Sequence, residues 1–275
     1  MRKINYGLIV SDFDGTLLKS DGTISEYTRE SIRKYLSDGG HFAVSTGRMP
    51  SGILPQVREL GLTGLVSCGQ GSVILDIQSG KPVFECSMPN AVAVQVCEEM
   101  EKLGLHIQVY DFWEYYSNMD DEALKWYENA VKAKGIVVED KPISAFVKQT
   151  GMQPYKVLAI VEPKDNERIL NAMNSVGFAG CYVTKSSENL VEVGNANASK
   201  GTAVAYLAKH YGVNLEKTVA VGDQLNDLSM LVTAGLGLAV KNATDGLKKH
   251  ATVLGYSNDE DAIAKIIENY GYTED

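Results

Sequence analysis

The chain has 275 residues, 44% of them hydrophobic and 22% charged, with a formal net charge of -9. That length suits two domains with cores of their own, and that composition excludes a disordered or fibrous chain. The negative balance, with no run of Lys and Arg, argues against nonspecific nucleic-acid binding, because phosphates demand basic surface.

Residues 6–10 are a short, continuously apolar run of the kind that lies in a parallel sheet buried on both faces. Asp12 and Asp14 follow it. In extended chain alternate side chains share one side, so both acids point into the space beyond the strand, and Gly15 permits a tight turn there. Like charges held so close need a cation or a proton between them, and Mg²⁺, hard and oxygen-seeking, fits. A solvated Asx turn is the plainer reading of the same residues.

Ser25 caps a predicted helix that runs to residue 38 and ends at Gly39 and Gly40. A second buried strand at 41–45 leads directly into Thr46-Gly47-Arg48, Pro50 opens another helix, and strands at 64–67 and 72–75 flank a Gly69-Gln70-Gly71 turn.

From 82 to 188 the texture changes. A strand at 83–88, a helix at 89–103 and alternating stretches at 105–110 and 114–117 come first. A helix near 122–132, a loose stretch toward 147, and strands at 155–161 and 180–184 around a helix at 164–176 complete it. This predicts an inserted α+β domain at 82–188 within an α/β domain made of 1–81 and 189–275. Trp113 and Tyr115 are candidates for meeting a substrate, although aromatic residues there equally pack the inserted core.

The α/β pattern resumes with a strand at 190–193 and a helix from Ser199-Lys200-Gly201 to 211. A strand at 218–221 ends in Gly222-Asp223-Gln224-Leu225-Asn226-Asp227, followed by strands at 235–240 and 251–254 and a helix at 260–270. The expected fold is therefore a Rossmann-like core, mainly a parallel sheet with helices on both faces, plus the insertion. Cys68, Cys86, Cys97 and Cys181 lack zinc-site spacing and read as reduced thiols. With no secretory leader and no stretch of membrane length, the expectation is a cytoplasmic protein with no membrane partner, a monomer or homodimer.

Four polar clusters thus follow core strands or open helices: Asp12/Asp14, Thr46/Arg48, Lys200 and Asp223/Asp227. Parallel sheets place ligands beyond the carboxyl ends of their strands, so the four can share one site. Singly, Thr46 is a turn residue, Arg48 and Lys200 are helix cations, and Asp227 is an acid favoured by a helix dipole. Jointly, they suit phosphoryl chemistry. Asp12 would attack phosphorus, Asp14 would serve as general acid and then base, and Asp223 with the Asp12 carboxylate and the Asp14 carbonyl would hold Mg²⁺. Lys200 and Thr46 would grip phosphoryl oxygens, while Asp227 and Asn226 would orient Lys200 or metal-bound water.

These motifs resemble those of the haloacid dehalogenase-like phosphatase superfamily, specifically the Cof-type hydrolases with a C2B cap. Asp12-Phe13-Asp14-Gly15-Thr16 is similar to the first motif, Thr46-Gly47-Arg48 to the second, Ser199-Lys200-Gly201 to the third, and Gly222-Asp223 through Asn226-Asp227 to the fourth. The resemblance implies an aspartyl nucleophile at Asp12, an acid/base at Asp14, Mg²⁺, and a cap that selects a small phosphorylated metabolite, with sugar or polyol phosphates foremost. It also places Gly47, Arg48, Gln70, Gly71, Asn226 and Asn242 near the substrate or its phosphate. Gln70-Gly71 stands where the family usually has Asn-Gly, and Ala262 replaces a glycine in the closing motif. Two other readings share the residues: a phosphomutase using the same aspartyl chemistry, and a catalytically idle sugar-phosphate-binding module.

Overall fold

The structure is a computed structural model that describes residues 3–131 and 133–273. Strand β1 (Leu8–Ser11) is completely buried, and since its side chains alternate, both faces of its sheet are covered. It leads through α1 (Glu26–Ser37) to β2 (His41–Ser45), α2 (Pro50–Glu59), β3 (Leu65–Cys68), β4 (Val73–Asp76) and β5 (Pro82–Glu85). Ser25 caps α1 as expected, accepting from the Thr28 amide at 3.1 Å.

The inserted unit follows: α3 (Asn90–Lys102), β6 (His106–Tyr110), β7 (Tyr115–Ser117), α4 (Glu122–Val131), β8 (Ile136–Val137), α5 (Ile143–Thr150), β9 (Lys156–Ile160), α6 (Asn166–Val176), β10 (Cys181–Ser187) and β11 (Leu190–Asn195). The predicted end of the α4 helix at Lys132 lies outside the described residues. The chain then returns through α7 (Lys200–His210), β12 (Thr218–Gly222), α8 (Leu228–Thr233), β13 (Leu236–Ala239), α9 (Asp245–Lys248), β14 (Thr252–Val253) and α10 (Ala262–Tyr270). Among the described residues no helix is long and apolar enough to cross a membrane.

The chain divides into two compact units, one taking residues up to Arg48, Ile53–Phe84 and Ser199 onward, the other Met49–Gly52 and Glu85–Ala198. The first is built on an eight-stranded sheet in the order β14-β13-β12-β1-β2-β3-β4-β5. Its strands run parallel from β14 to β3, and β4 turns back antiparallel to β3. Helix α1 packs on α10 and α7 on α8. The second unit has a six-stranded sheet, β10-β11-β9-β6-β7-β8, antiparallel except where β7 meets β8. Ile107, Val109, Val157, Ala159, Val191 and Val193 pack with residues of α3, α5 and α6 in one core.

Four expectations are corrected. The strand expected at 83–88, as the start of the insertion, is β5, and it extends the first unit's sheet; Val83 and Pro82 are exposed there, as an edge strand allows. The strand expected at 190–193 in the α/β core is β11, paired antiparallel with β9 and β10. Val191 and Val193 lie in the core with the helices, and Glu192, on the opposite side, is buried too and pairs with Lys156 at 3.3 Å, so a strand covered on both faces reads like one of a parallel core. The stretch read as loose toward 147 contains α5, whose Ile143 and Val147 are buried. Tyr115, a candidate for meeting substrate, is completely buried and stacks on Tyr110 at 5.0 Å, so it packs the inserted core; Trp113 is exposed.

Candidate active site

Register in the parallel sheet brings the polar motifs together. Ser11 pairs with Val221 on one side and Val44 on the other, and Ser45 pairs with Ser67, so the residues after β1, β2 and β12 leave the same sheet edge. The Asp12 amide continues the ladder to Val221 O at 2.9 Å, as the Thr46 amide does to Ser67 O at 2.9 Å. All the residues assigned to chemistry lie in the first unit.

At the centre Lys200, the first residue of α7 and 1% exposed, donates from Nζ to Asp12 Oδ1 at 2.6 Å and to Asp227 Oδ1 at 2.5 Å. One carboxylate oxygen from each of Asp12, Asp223 and Asp227 lies within 4.8 Å of the others, and all three residues are buried. Three carboxylates thus face one ammonium. Burial pushes the Asp12 carboxyl up to about 8 against the pull of Lys200, and burial followed by the Asp227 charge pushes Asp223 up as well. Burial disfavours the charge on Lys200, but the Asp12 and Asp227 carboxylates outweigh it and keep it an ammonium. An under-neutralised pocket of hard oxygens, with no His or Cys in it, suits a divalent cation of the Mg²⁺ kind.

Asp227 is already committed. Its Oδ2 accepts from the amides of Asp223 at 2.8 Å and Gln224 at 3.0 Å, closing the turn that presents Asp223, while its Oδ1 holds Lys200. Asp223 is aimed by Thr16 Oγ1 at 3.1 Å and Gln224 Nε2 at 3.2 Å. Gly15 lies beside it with φ +74°, where a Cβ would come 2.6 Å from Asp223 Oδ2.

The carboxylate of Asp14 is not in the acidic cluster. Arg48 grips it with Nε to Oδ2 at 2.8 Å and Nη2 to Oδ1 at 2.6 Å, and the guanidinium also lies 4.9 Å from the Phe13 ring centroid. Arg48, expected near the phosphate, thus holds the neighbouring acid. Thr46 is buried, and its Oγ1 accepts from the Arg48 amide at 3.1 Å, which shapes the Gly47 turn between them. Gln70 occupies the left-handed region at φ 60°, and its Oε1 accepts from Asn226 Nδ2 at 3.1 Å, so Asn226 braces Gln70 rather than Lys200. Asn242 donates from Nδ2 to Gly15 O at 2.8 Å and accepts from the Asn258 amide at 3.0 Å, committing its amide within the protein.

Gly71 shows why the turn after β3 needs glycine. At φ +91° a Cβ there would stand 2.0 Å from Ser199 O, on the residue that caps the Lys200 helix through its hydroxyl at 3.0 Å from the Thr202 amide. Gly71→Ala is expected to lower stability by more than about 2 kcal/mol, from left-handed strain plus backbone displacement. Because α7 must shift, activity should fall with it; a melting temperature equal to the parent's would count against this account. Thr16 and Asn258 were visible in the sequence only as members of the first and closing motifs, and their contacts to Asp223 and to Leu18 O carry no charge or spacing that would have announced them.

The protein-family model for haloacid dehalogenase-like hydrolases matches residues 9–267. The chain is 31% identical over 272 residues to a protein of Haemophilus influenzae, covering 96% of this chain and 97% of that one. It is 27% identical to the 5-amino-6-(5-phospho-D-ribitylamino)uracil phosphatase YitU of Bacillus subtilis, covering 96% of this chain and 97% of the relative. Among solved structures it is similar to TM0651 from Thermotoga maritima, with a TM-score of 0.85, 26% identity and 98% of each chain covered. A parallel sheet that gathers Asp12, Lys200 and Asp223 at one edge, and a match running through all four motifs, have one conclusion: the chain belongs to the haloacid dehalogenase-like hydrolases, in their Cof-type branch.

Proposed function

We propose that the protein is a Mg²⁺-dependent phosphomonoesterase acting through a phosphoaspartate at Asp12 on sugar phosphates or similar small phosphorylated metabolites. The observation that carries this reading is the buried meeting of Asp12, Asp223, Asp227 and Lys200 at the sheet edge. Asp12 and Asp223 would hold Mg²⁺, with the Asp14 main-chain carbonyl; bound there, the ion neutralises charge on the phosphoryl group. An Asp12 carboxylate oxygen attacks phosphorus, forming the acyl phosphate as the ester P–O bond breaks. Asp14 donates the proton that the departing alkoxide needs, then takes one from the water that hydrolyses the acyl phosphate. That role requires its carboxyl to turn from Arg48, which engages both of its oxygens.

Two of the three Lys200 N–H groups go to Asp12 and Asp227, leaving a third for a phosphoryl oxygen. Thr46 Oγ1 accepts from the Arg48 amide, so its O–H is directed elsewhere and serves the same phosphoryl group. For the substrate class, support comes from the Bacillus relative, whose name specifies a phosphorylated ribityl chain, a polyol phosphate.

The test is phosphate release by the purified protein across sugar, polyol, nucleotide and cofactor phosphates with Mg²⁺, with phosphorus NMR of the products. Inorganic phosphate from polyol or sugar esters is expected; an isomerised ester would mean a mutase, and binding without turnover a sensor. Mg²⁺ at a hundredfold excess over its Kd should stabilise the fold by about 2.7 kcal/mol, and Asp223→Asn should abolish that gain. A melting temperature indifferent to Mg²⁺ in the parent protein would remove the metal from the reading.

A further inference from the structure

Residues 13–18 form a tight loop in which the amides of Leu17 and Leu18 both donate to Phe13 O, at 3.1 and 2.8 Å. The loop carries Asp14, and it is fastened from the far end of the chain. Asn242 Nδ2 donates to Gly15 O at 2.8 Å, and Asn242 Oδ1 in turn accepts from the Asn258 amide at 3.0 Å. Asn258, 6% exposed, then donates from Nδ2 to Leu18 O at 2.9 Å.

The two asparagines therefore hold two carbonyls of one short loop and hold each other. Thr16 and Asp14 tie the loop to Asp223 and Arg48 through their side chains, whereas the two asparagines tie it through its main chain. The segment bearing Asn258 is itself anchored. Asp259 accepts from the Ser20 amide and hydroxyl, both at 2.8 Å. Asp261 accepts from Ser25 Oγ at 2.6 Å and Thr28 Oγ1 at 3.2 Å and pairs with Lys19 at 3.1 Å. It does so with a left-handed backbone, φ 61°, a conformation a non-glycine residue keeps only where its surroundings enforce it.

We propose that Asn258, working with Asn242, is a positioning residue for the loop that carries Asp14. Both asparagines spend a side-chain N–H on a main-chain carbonyl of the loop. Their donors fix where Gly15 and Leu18 sit, hence where the Asp14 side chain originates and how Thr16 meets Asp223. This inference rests on the phosphatase reading for its catalytic consequence, but its structural part does not.

The variant is Asn258→Asp, which keeps shape and the main-chain bond to Asn242 while setting an acceptor against Leu18 O. Where it fails to fold, Asn242→Asp does the same at Gly15 O and keeps the acceptor for Asn258. Hydrogen exchange by mass spectrometry should show the amides of residues 14–18 exchanging faster in the variant, with β1 and β12 unchanged. With Mg²⁺, kcat on an alkyl phosphate should fall about 10- to 100-fold with KM little altered. The loss on p-nitrophenyl phosphate should be smaller, because its leaving group needs no proton from Asp14. A plain loss of folded protein would lower both esters equally. Unchanged exchange at residues 14–18, or equal losses on the two esters, overturns the proposal. A parent protein that hydrolyses no ester overturns the phosphatase reading instead, and the exchange result alone then decides this one.

Discussion

Asp12→Asn is expected to reduce phosphate release by about four orders of magnitude or more while leaving the fold at least as stable as the parent's. The two halves of that expectation have one cause. Asn matches Asp in volume, so a residue 6% exposed is replaced without a cavity, but its amide cannot attack phosphorus. Its loss also removes one of three carboxylates crowded within 4.8 Å, and Lys200 keeps its partner in Asp227. In chelator the variant should therefore melt no lower than the parent, because buried like charge has been relieved. Residual turnover within tenfold of the parent would move the nucleophile elsewhere. A variant that is inactive but also unfolded would show only that Asp12 is structural.

The parts of this molecule that were legible in the sequence are those written as contiguous signals. The apolar runs of β1, β2 and β12 each end in polar residues, and parallel pairing then makes it inevitable that Asp12, Thr46 and Asp223 emerge at one edge. Lys200 followed from its place at a helix start. What sequence could not show depends on partners remote along the chain. The Asp14–Arg48 fork spans 34 positions and holds the Asp14 carboxylate apart from the acidic cluster. Asn242 and Asn258 reach Gly15 and Leu18 across 227 and 240 positions, through neutral amides that leave no charge pattern. The unit boundaries were misread for a different reason: β5 is a largely exposed edge strand that looks like part of an insertion, and β11 is buried through its centre like a core strand, so local texture pointed the wrong way at both ends.

Lys200→Met should cost both stability and activity, and the stability loss is the more informative. Methionine fills most of the space of the lysine stem, so the packing of α7 changes little, yet its thioether leaves three buried carboxylates with no cation among them. Removing one partner of a buried ion pair typically costs about 3–5 kcal/mol, because the remaining charge is neither solvated nor matched. For a chain of this size that corresponds to roughly 10 °C in the melting temperature. Catalysis should fall by about 10²- to 10³-fold, the usual consequence of losing one donor to a developing phosphoryl charge. Two further measurements separate charge from packing. Mg²⁺ should restore more stability to the variant than it adds to the parent, since it supplies the missing positive charge. Asp227→Asn combined with Lys200→Met should cost less than the two changes added together, because the second removes a charge that the first stranded. Additive losses, with no extra benefit from Mg²⁺, would mean that Lys200 is there to pack α7 and that the acids do not depend on its charge.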